Sequence, residues 1–210
     1  MAEPLGKIDK PRADEYKHAR RLYLVPLVYS TDNAPEEYRE KCIAYWQQVT
    51  EQLANLESKA GKVTRIYHES VSQGGDEGMK AVQELNPSSF SIAEAKCQAG
   101  AVMEALEDEQ LLHQTMDWGR CLMLGFLSET VAKTVSESYF QAASKRNQLL
   151  AERISSTLDD DSVGLLFIRE GHLVQFPADI DVFSVFPPAL DEIHRWLRDR
   201  ATLEREKAED

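Results

Sequence analysis

The stretch "LLFIREGHLVQFP", residues 165–177, decides how the strands of this 210-residue chain pair. Its first four residues are all apolar, which is typical of a strand that is covered on both faces. Gly171 tolerates a positive φ angle, so the segment that ends at His172 predicts a tight turn. On that interpretation His172 begins a second strand, residues 172–176, and the two strands form a hairpin.

The same residues allow a second arrangement. A parallel strand would end at Ile168, and the chain would then turn across the carboxyl edge of a sheet and present Glu170 and His172 together. A carboxylate beside an imidazole can orient the ring for base catalysis or for metal binding. The hairpin is the favoured prediction, and the second arrangement is the basis of a hydrolase hypothesis.

The N-terminal part predicts a strand, a helix and a second strand. Residues 20–30 are apolar at nearly every position, although Pro26 removes a hydrogen-bond donor from that strand. Apolar residues then recur at steps of three and four until Gly61, as in an amphipathic helix. Residues 62–72 form the second strand. This order favours a parallel pair joined by a right-handed crossover.

Residues 88–158 are predicted to be mainly helical. An unbroken helix over 122–158 would be about 55 Å long, which exceeds a small domain. We therefore expect a kink or a helical hairpin, with Gly125 and the pair Ser144-Lys145 as candidate interruptions. The apolar stripe along these helices predicts self-association, so the chain is expected to be a homo-oligomer.

The fold class that follows is α/β, with a small mixed sheet from N- and C-terminal strands and a large helical middle region. A flexible tail is expected over residues 1–19. A single α/β domain is expected over 20–200, with the helical insertion at about 88–158. A fraying tail is expected over 201–210.

Composition narrows the class of protein. The formal net charge of −12 argues against nucleic acid and anionic membranes as partners, because phosphates attract proteins through Lys and Arg. No run approaches the roughly 20 apolar residues of a membrane helix, and the charged N-terminus does not have the pattern of a secretory signal. Cys42, Cys97 and Cys121 lack metal-ligand spacing and favour a thiol-reducing compartment, so a soluble cytoplasmic protein is expected.

His68 and Glu69 close the second predicted strand, and strand ends are where ligands bind in α/β sheets. Adjacent strand residues point to opposite faces, so only one of the two can face a given site. Together with Glu170 and His172 they are the candidate catalytic residues. The glycine loop over 70–80 lacks the spacing of a phosphate cradle, so the sequence identifies no cofactor and leaves metal binding open.

The segment "RNQLLAERISSTLDDDSVGLLFIREGHLVQFPADI", residues 146–180, combines a helix that begins Arg-Asn, an acidic turn, a buried strand and a histidine followed by leucine. It resembles the closing part of the TraB/TIKI-like family, which carries a Gly-x-x-His signature there. The matching positions are Arg146, Asn147, Ala151, Ile154, Phe167, His172 and Leu173. The resemblance implies a related topology for this end of the chain. The signature glycine falls at Arg169, and this chain has Gly171 next to the histidine instead. Family members with metalloprotease-like activity also use a Gly-x-x-His after the first strand, which this chain lacks, so the departures argue against that activity.

The leading functional hypothesis is a non-catalytic binding or assembly protein whose partner is a protein or a small molecule. The alternative is a hydrolase, with or without a metal, whose site lies at the sheet edge around Glu170 and His172.

Overall fold

The computed structural model describes residues 20–209, with side chains described through residue 205. The predicted tail over 1–19 lies outside the described part. The strands are β1 (Arg20–Pro26), β2 (Arg65–His68), β3 (Val102–Met103), β4 (Val163–Ile168) and β5 (Ile180–Ser184). The helices are α1 (Glu36–Ala60), α2 (Gly75–Leu85), α3 (Pro87–Gln98), α4 (Glu109–Met123), α5 (Glu129–Thr157) and α6 (Pro188–Glu209).

The five strands form one sheet in the order β3-β2-β4-β1-β5. The sheet therefore joins strands from both ends of the chain, which confirms the predicted α/β fold with its helical middle region. The centre of the sheet is formed by β1 and β4, where Tyr23 of β1 lies opposite Leu165 on one side and Phe183 of β5 on the other. Every pairing is parallel, so the sheet is not mixed as expected; the antiparallel pair in that expectation was the hairpin predicted at residues 165–177.

The predicted hairpin at residues 165–177 is wrong. Residues 172–176 form no strand, and β5 lies beside β1, not beside β4. The physical reason is that β4 already pairs with β1 on one edge and with β2 on the other, so no edge is open to a hairpin partner. The chain crosses the face of the sheet instead, where Val174 is buried and Phe176 packs against the same cluster.

Helices cover the two faces of the sheet unequally. On one face, α1, α2, α3 and α6 pack over a large core that includes Tyr45, Val82 and Phe167. On the other face, α5 supplies Leu150 and Ile154 to a smaller core. The crossover from β4 to β5, residues 169–179, contains no helix, although such connections usually carry one. The second face is therefore covered by α5 and by this crossover.

The predicted helical hairpin is formed by α4 and α5, which pack against each other. The turn between them contains Gly125 with a φ of +71°, a left-handed conformation that glycine adopts without strain. With 29 residues, α5 is about 43 Å long. Val135 is the one buried residue between positions 116 and 141. We call residues 109–141 the arm, since they form the part of the hairpin that precedes the stretch of α5 packed on the sheet.

Two further boundaries differ from the sequence-based expectation. The short strand β3 interrupts the predicted helical region between α3 and α4. The last helix continues to Glu209, so it includes most of the 201–210 segment. In the part of the chain that the structure describes, no helix is both long enough and apolar enough to cross a bilayer.

Candidate functional site

Four charged residues form a cluster at the carboxyl edge of the sheet. Arg146 of α5 is 3% exposed and lies between two carboxylates. Its Nε donates to both carboxylate oxygens of Glu107, at 3.1 and 2.9 Å. Its Nη2 donates to Glu69 Oε1 at 3.0 Å and also to Glu107 Oε1. The fourth member is Arg169, which follows β4. We call Glu69, Glu107, Arg146 and Arg169 the ion cluster.

The remaining acceptors of the ion cluster are also used. Glu69 Oε2 accepts from the backbone N–H of Arg169 at 2.7 Å, and Arg169 Nε lies 3.2 Å from Glu69 Oε1. Glu107 Oε1 accepts from the backbone N–H of Ser70 at 3.2 Å. Two carboxylates and two guanidinium groups balance in charge. Because each carboxylate is held by several donors, neither is placed as a free general base, and the cluster instead fastens α5 to the ends of β2 and β4.

Arg146 stays positively charged although its side chain is buried. Burial disfavours the cation, but hydrogen bonds and charges from Glu107 and Glu69 oppose it, and the net effect raises the pKa of Arg146 above its usual value. Sequence reasoning missed both Arg146 and Glu107 as partners. The available signal was that Arg146 falls four residues after Ala142 and four before Leu150, in the stripe of α5 that faces the core.

Of the predicted site residues, His68 and Glu69 point to opposite faces of the sheet, as adjacent strand residues do. Glu69 faces α5, whereas His68 faces α3 and is fully buried. Its Nδ1 donates to the backbone oxygen of Glu69 at 2.6 Å, and its Nε2 lies 3.1 Å from the hydroxyl of Ser89. The ring therefore has a partner at each nitrogen within the core.

Burial lowers the pKa of His68 below its usual 6.5, and the neighbouring Glu69 opposes that effect only in part. The folded protein therefore binds a proton at His68 less readily than the unfolded chain. Stability from the neutral ring is present above about pH 6.5 and is lost as the pH falls below it.

We expect the free energy of unfolding to decrease when the pH is lowered from about 7.5 to about 5.5, at up to about 1.4 kcal/mol per pH unit for this one proton. Urea unfolding at several pH values measures the slope. In His68→Gln the slope over this window should be smaller, whatever the absolute stability of the variant. An unchanged slope would show that His68 is not the residue responsible.

Glu170 and His172 do not form the predicted pair. Glu170 Oε2 lies 2.7 Å from His194 Nε2 on α6, and both side chains are partly exposed. His172 turns the other way and packs edge-on against Phe176, with ring centroids 5.9 Å apart. Its pKa is lowered by burial, and the charge of Glu69 opposes that shift. Glu170 and His172 therefore have different partners, and the charge of Glu69 acts on His172.

A different surface feature lies at the end of the arm. We call residues 121–128, "CLMLGFLS", the tip; it contains no charged residue. Met123 and Leu124 are 82% and 80% exposed, and Leu127 is completely exposed. Sequence analysis had assigned this segment to an apolar stripe but had not predicted that its side chains face solvent.

A groove of about 730 Å³ lies beside the same helix, between α5 and residues 173–177 of the crossover. The groove is present because the crossover from β4 to β5 contains no helix that would cover this side of α5. Small side chains such as Ala143 and Ala151 line it, and Phe140 and Leu173 stand at its rim, 66% and 77% exposed. Along α5 it extends about 22 Å, at 1.5 Å per residue from position 140 to 155.

The tip and the groove together hold the five most exposed large apolar side chains among the described residues: Leu127, Met123, Leu124, Leu173 and Phe140. Exposed apolar side chains that are grouped, as in the tip, mark interaction sites, whereas isolated exposed apolar residues are common on any protein.

Comparisons with known proteins return no match. The chain matched no family model, no curated protein and no solved structure. The resemblance of residues 146–180 to the TraB/TIKI-like family stays a prediction. Among the described residues, no three His, Cys, Asp or Glu side chains are grouped in a way that could hold a metal ion.

Proposed function

We propose that the protein is a non-catalytic binding and assembly protein that self-associates through its arm. The observation that supports this proposal is the tip, where three large apolar side chains are almost fully exposed and no charge is present. The carboxylates of the ion cluster, in contrast, are occupied by structural partners, which favours a binding role over a catalytic one at that edge.

The free energy of association determines how completely the tip must be buried. Burying a Leu or Met side chain contributes about 1.5–3 kcal/mol, so six such side chains in a symmetric pair contribute about 9–18 kcal/mol. Association itself costs about 4–15 kcal/mol. The two ranges overlap, so partial burial of the tip would not offset the cost of association. A stable assembly therefore requires that the tip side chains are fully buried against an apolar surface.

We expect the wild-type chain to sediment as a dimer at micromolar concentration and the double variant Leu124→Asp/Leu127→Asp to sediment as a monomer. Sedimentation velocity over a hundredfold concentration range measures the change. Because both side chains are exposed in the single chain, the free energy of unfolding of the isolated variant should lie within about 0.5 kcal/mol of the wild-type monomer. Leu203→Asp, an exposed leucine on α6, is the matched control and should leave the dimer intact.

Two results would overturn the proposal: a wild-type monomer at the highest concentration, or a double variant that dimerises like the wild type. Co-sedimentation of a monomeric wild-type chain with phosphatidylcholine vesicles, lost in the double variant, would instead identify the tip as a membrane-docking element.

The second candidate is a hydrolase, supported by one observation at His172. The Nδ1 atom of His172 is buried without a hydrogen-bond partner, and the ring lies within electrostatic range of Glu69. A base in this position would act on a substrate bound at the carboxyl edge. Hydrolysis of chromogenic esters and peptides that is abolished by His172→Ala and retained by Glu170→Gln would support this candidate, because Glu170 pairs elsewhere.

A further inference from the structure

We propose that the tip of one chain fills the groove of a second copy, in a two-fold dimer whose α5 helices lie antiparallel. This inference rests on the proposed self-association and names the surface that receives the tip. In this dimer the tip of the second copy covers the open side of the groove.

The two surfaces match in shape and in charge. The tip is a convex turn with no charged residue, and the groove is concave with Glu152 as its one charged lining residue. The chain as a whole carries a formal charge of −12, so most pairs of surfaces on two copies would bring acidic groups together. Contact between tip and groove avoids that repulsion, since almost no charge is desolvated.

The positions of the two surfaces on one helix favour a closed pair. Leu127 precedes α5 and Ala143 lies in the groove, about 24 Å along the helix direction. When two copies of α5 run antiparallel, the start of each helix lies beside the middle of the other. Tip and groove then meet twice, once on each side of the two-fold axis, and the contact is self-complementary.

The charges between the two surfaces support the same register. The groove-facing positions Phe140, Ser144 and Asn147 recur at steps of four and three, and the same stripe continues toward the tip through Lys133 and Glu137. In the register that places Leu127 opposite Ala143 of the second copy, Lys133 lies opposite Glu137 of the second copy. Both side chains are exposed, and within one chain they make a long ion pair of 3.9 Å with each other, which each can exchange for the same contact across the axis.

Cross-linking of two cysteine additions tests this arrangement, each made in a Cys97→Ser/Cys121→Ser background because Cys121 itself lies in the tip. Ser128→Cys places a thiol at the end of the tip, and Ser144→Cys places one in the groove. The two variants are first shown by light scattering to be dimers, then mixed, exchanged and treated with a short bismaleimide. We expect a cross-linked heterodimer in the mixture and little product from either variant alone, because the two copies of position 128 lie about 21 Å apart along the antiparallel pair and the two copies of position 144 about 27 Å apart.

The Cys97→Ser/Cys121→Ser parent, which retains only the buried Cys42, is the background control. Cross-linking of Ser128→Cys to itself would show that two tips meet, which overturns the groove as the tip's receptor while leaving self-association intact. Cross-linking of Ser144→Cys to itself, or a dimer with no product in the mixture, would overturn the arrangement in the same way. A monomeric wild-type chain overturns both this inference and the proposed function.

A groove variant gives an independent measurement. Ala143→Glu puts a charge in the groove and should weaken the dimer at least tenfold, as followed by sedimentation. Mixing it with Leu124→Asp/Leu127→Asp should restore part of the association, since that pair retains one intact tip and one intact groove. Equal dimerisation of Ala143→Glu and the wild type would contradict the inference.

Discussion

Replacing Arg146 by methionine is expected to lower the free energy of unfolding by about 3–5 kcal/mol. The substitution leaves the carboxylates of Glu69 and Glu107 without their shared cation, and the side chain of Glu107 is fully buried. An uncompensated buried charge costs far more than the net value of the ion pair itself. Urea denaturation, followed by the fluorescence of the chain's tryptophans, measures the loss.

Two comparisons show whether the loss comes from the ion cluster. Arg120→Met removes an exposed arginine from α4, whose partner Asp117 is also exposed, and should cost no more than about 0.5 kcal/mol. Adding Glu69→Gln and Glu107→Gln to Arg146→Met should recover part of the lost stability, because the stranded charges disappear. An Arg146→Met variant as stable as Arg120→Met would show that the cluster does not anchor α5.

The second large effect is expected at the centre of the sheet, where Phe167→Ala should cost about 3–5 kcal/mol. Phe167 of β4 is fully buried and packs against the rings of Trp46 and His68, with centroids 6.3 and 5.7 Å away. Because β4 lies between β1 and β2, the cavity that the substitution leaves cannot be closed by a local shift of an edge strand.

Phe140→Ala is the matched control for this prediction, since it removes the same side chain from a site that is 66% exposed. It should change the free energy of unfolding of the monomer by less than about 0.5 kcal/mol. Calorimetric or urea unfolding of both variants under monomeric conditions provides the comparison. Equal losses for the two phenylalanines would contradict the central position assigned to β4.

Much of the fold could be predicted from periodicity. Continuous apolar runs such as "LYLV" and "GLLFI" indicated strands covered on both faces, and the strand-helix-strand order indicated parallel pairing. The path of the chain after Ile168 could not be predicted, because "REGH" is compatible with a hairpin turn. The outcome depended on the open edges of β4, and these are set by β1 and β2, which lie about 100 residues or more earlier in the chain.

The candidate sites were less predictable for a related reason. The sequence located Glu69 and His172 at strand ends, but the partners of Glu69 come from α5 and from the residue after β4. Those contacts depend on how a helix lies on the sheet, which local pattern does not specify. The apolar tip was visible as sequence, whereas its exposure depends on where the α4–α5 hairpin turns: the turn at Gly125 precedes the stretch of α5 that packs on the sheet.

The sheet order has a consequence for synthesis on the ribosome. Strand β1 ends at Pro26, yet both of its neighbours, β4 and β5, are completed only near residues 168 and 184. At translation rates of 5–20 residues per second, the apolar segment waits roughly 10–30 s for its second partner. A nascent chain with both edges of this strand open is prone to aggregation. Its co-translational folding should be limited by chain length, not by the speed of helix formation.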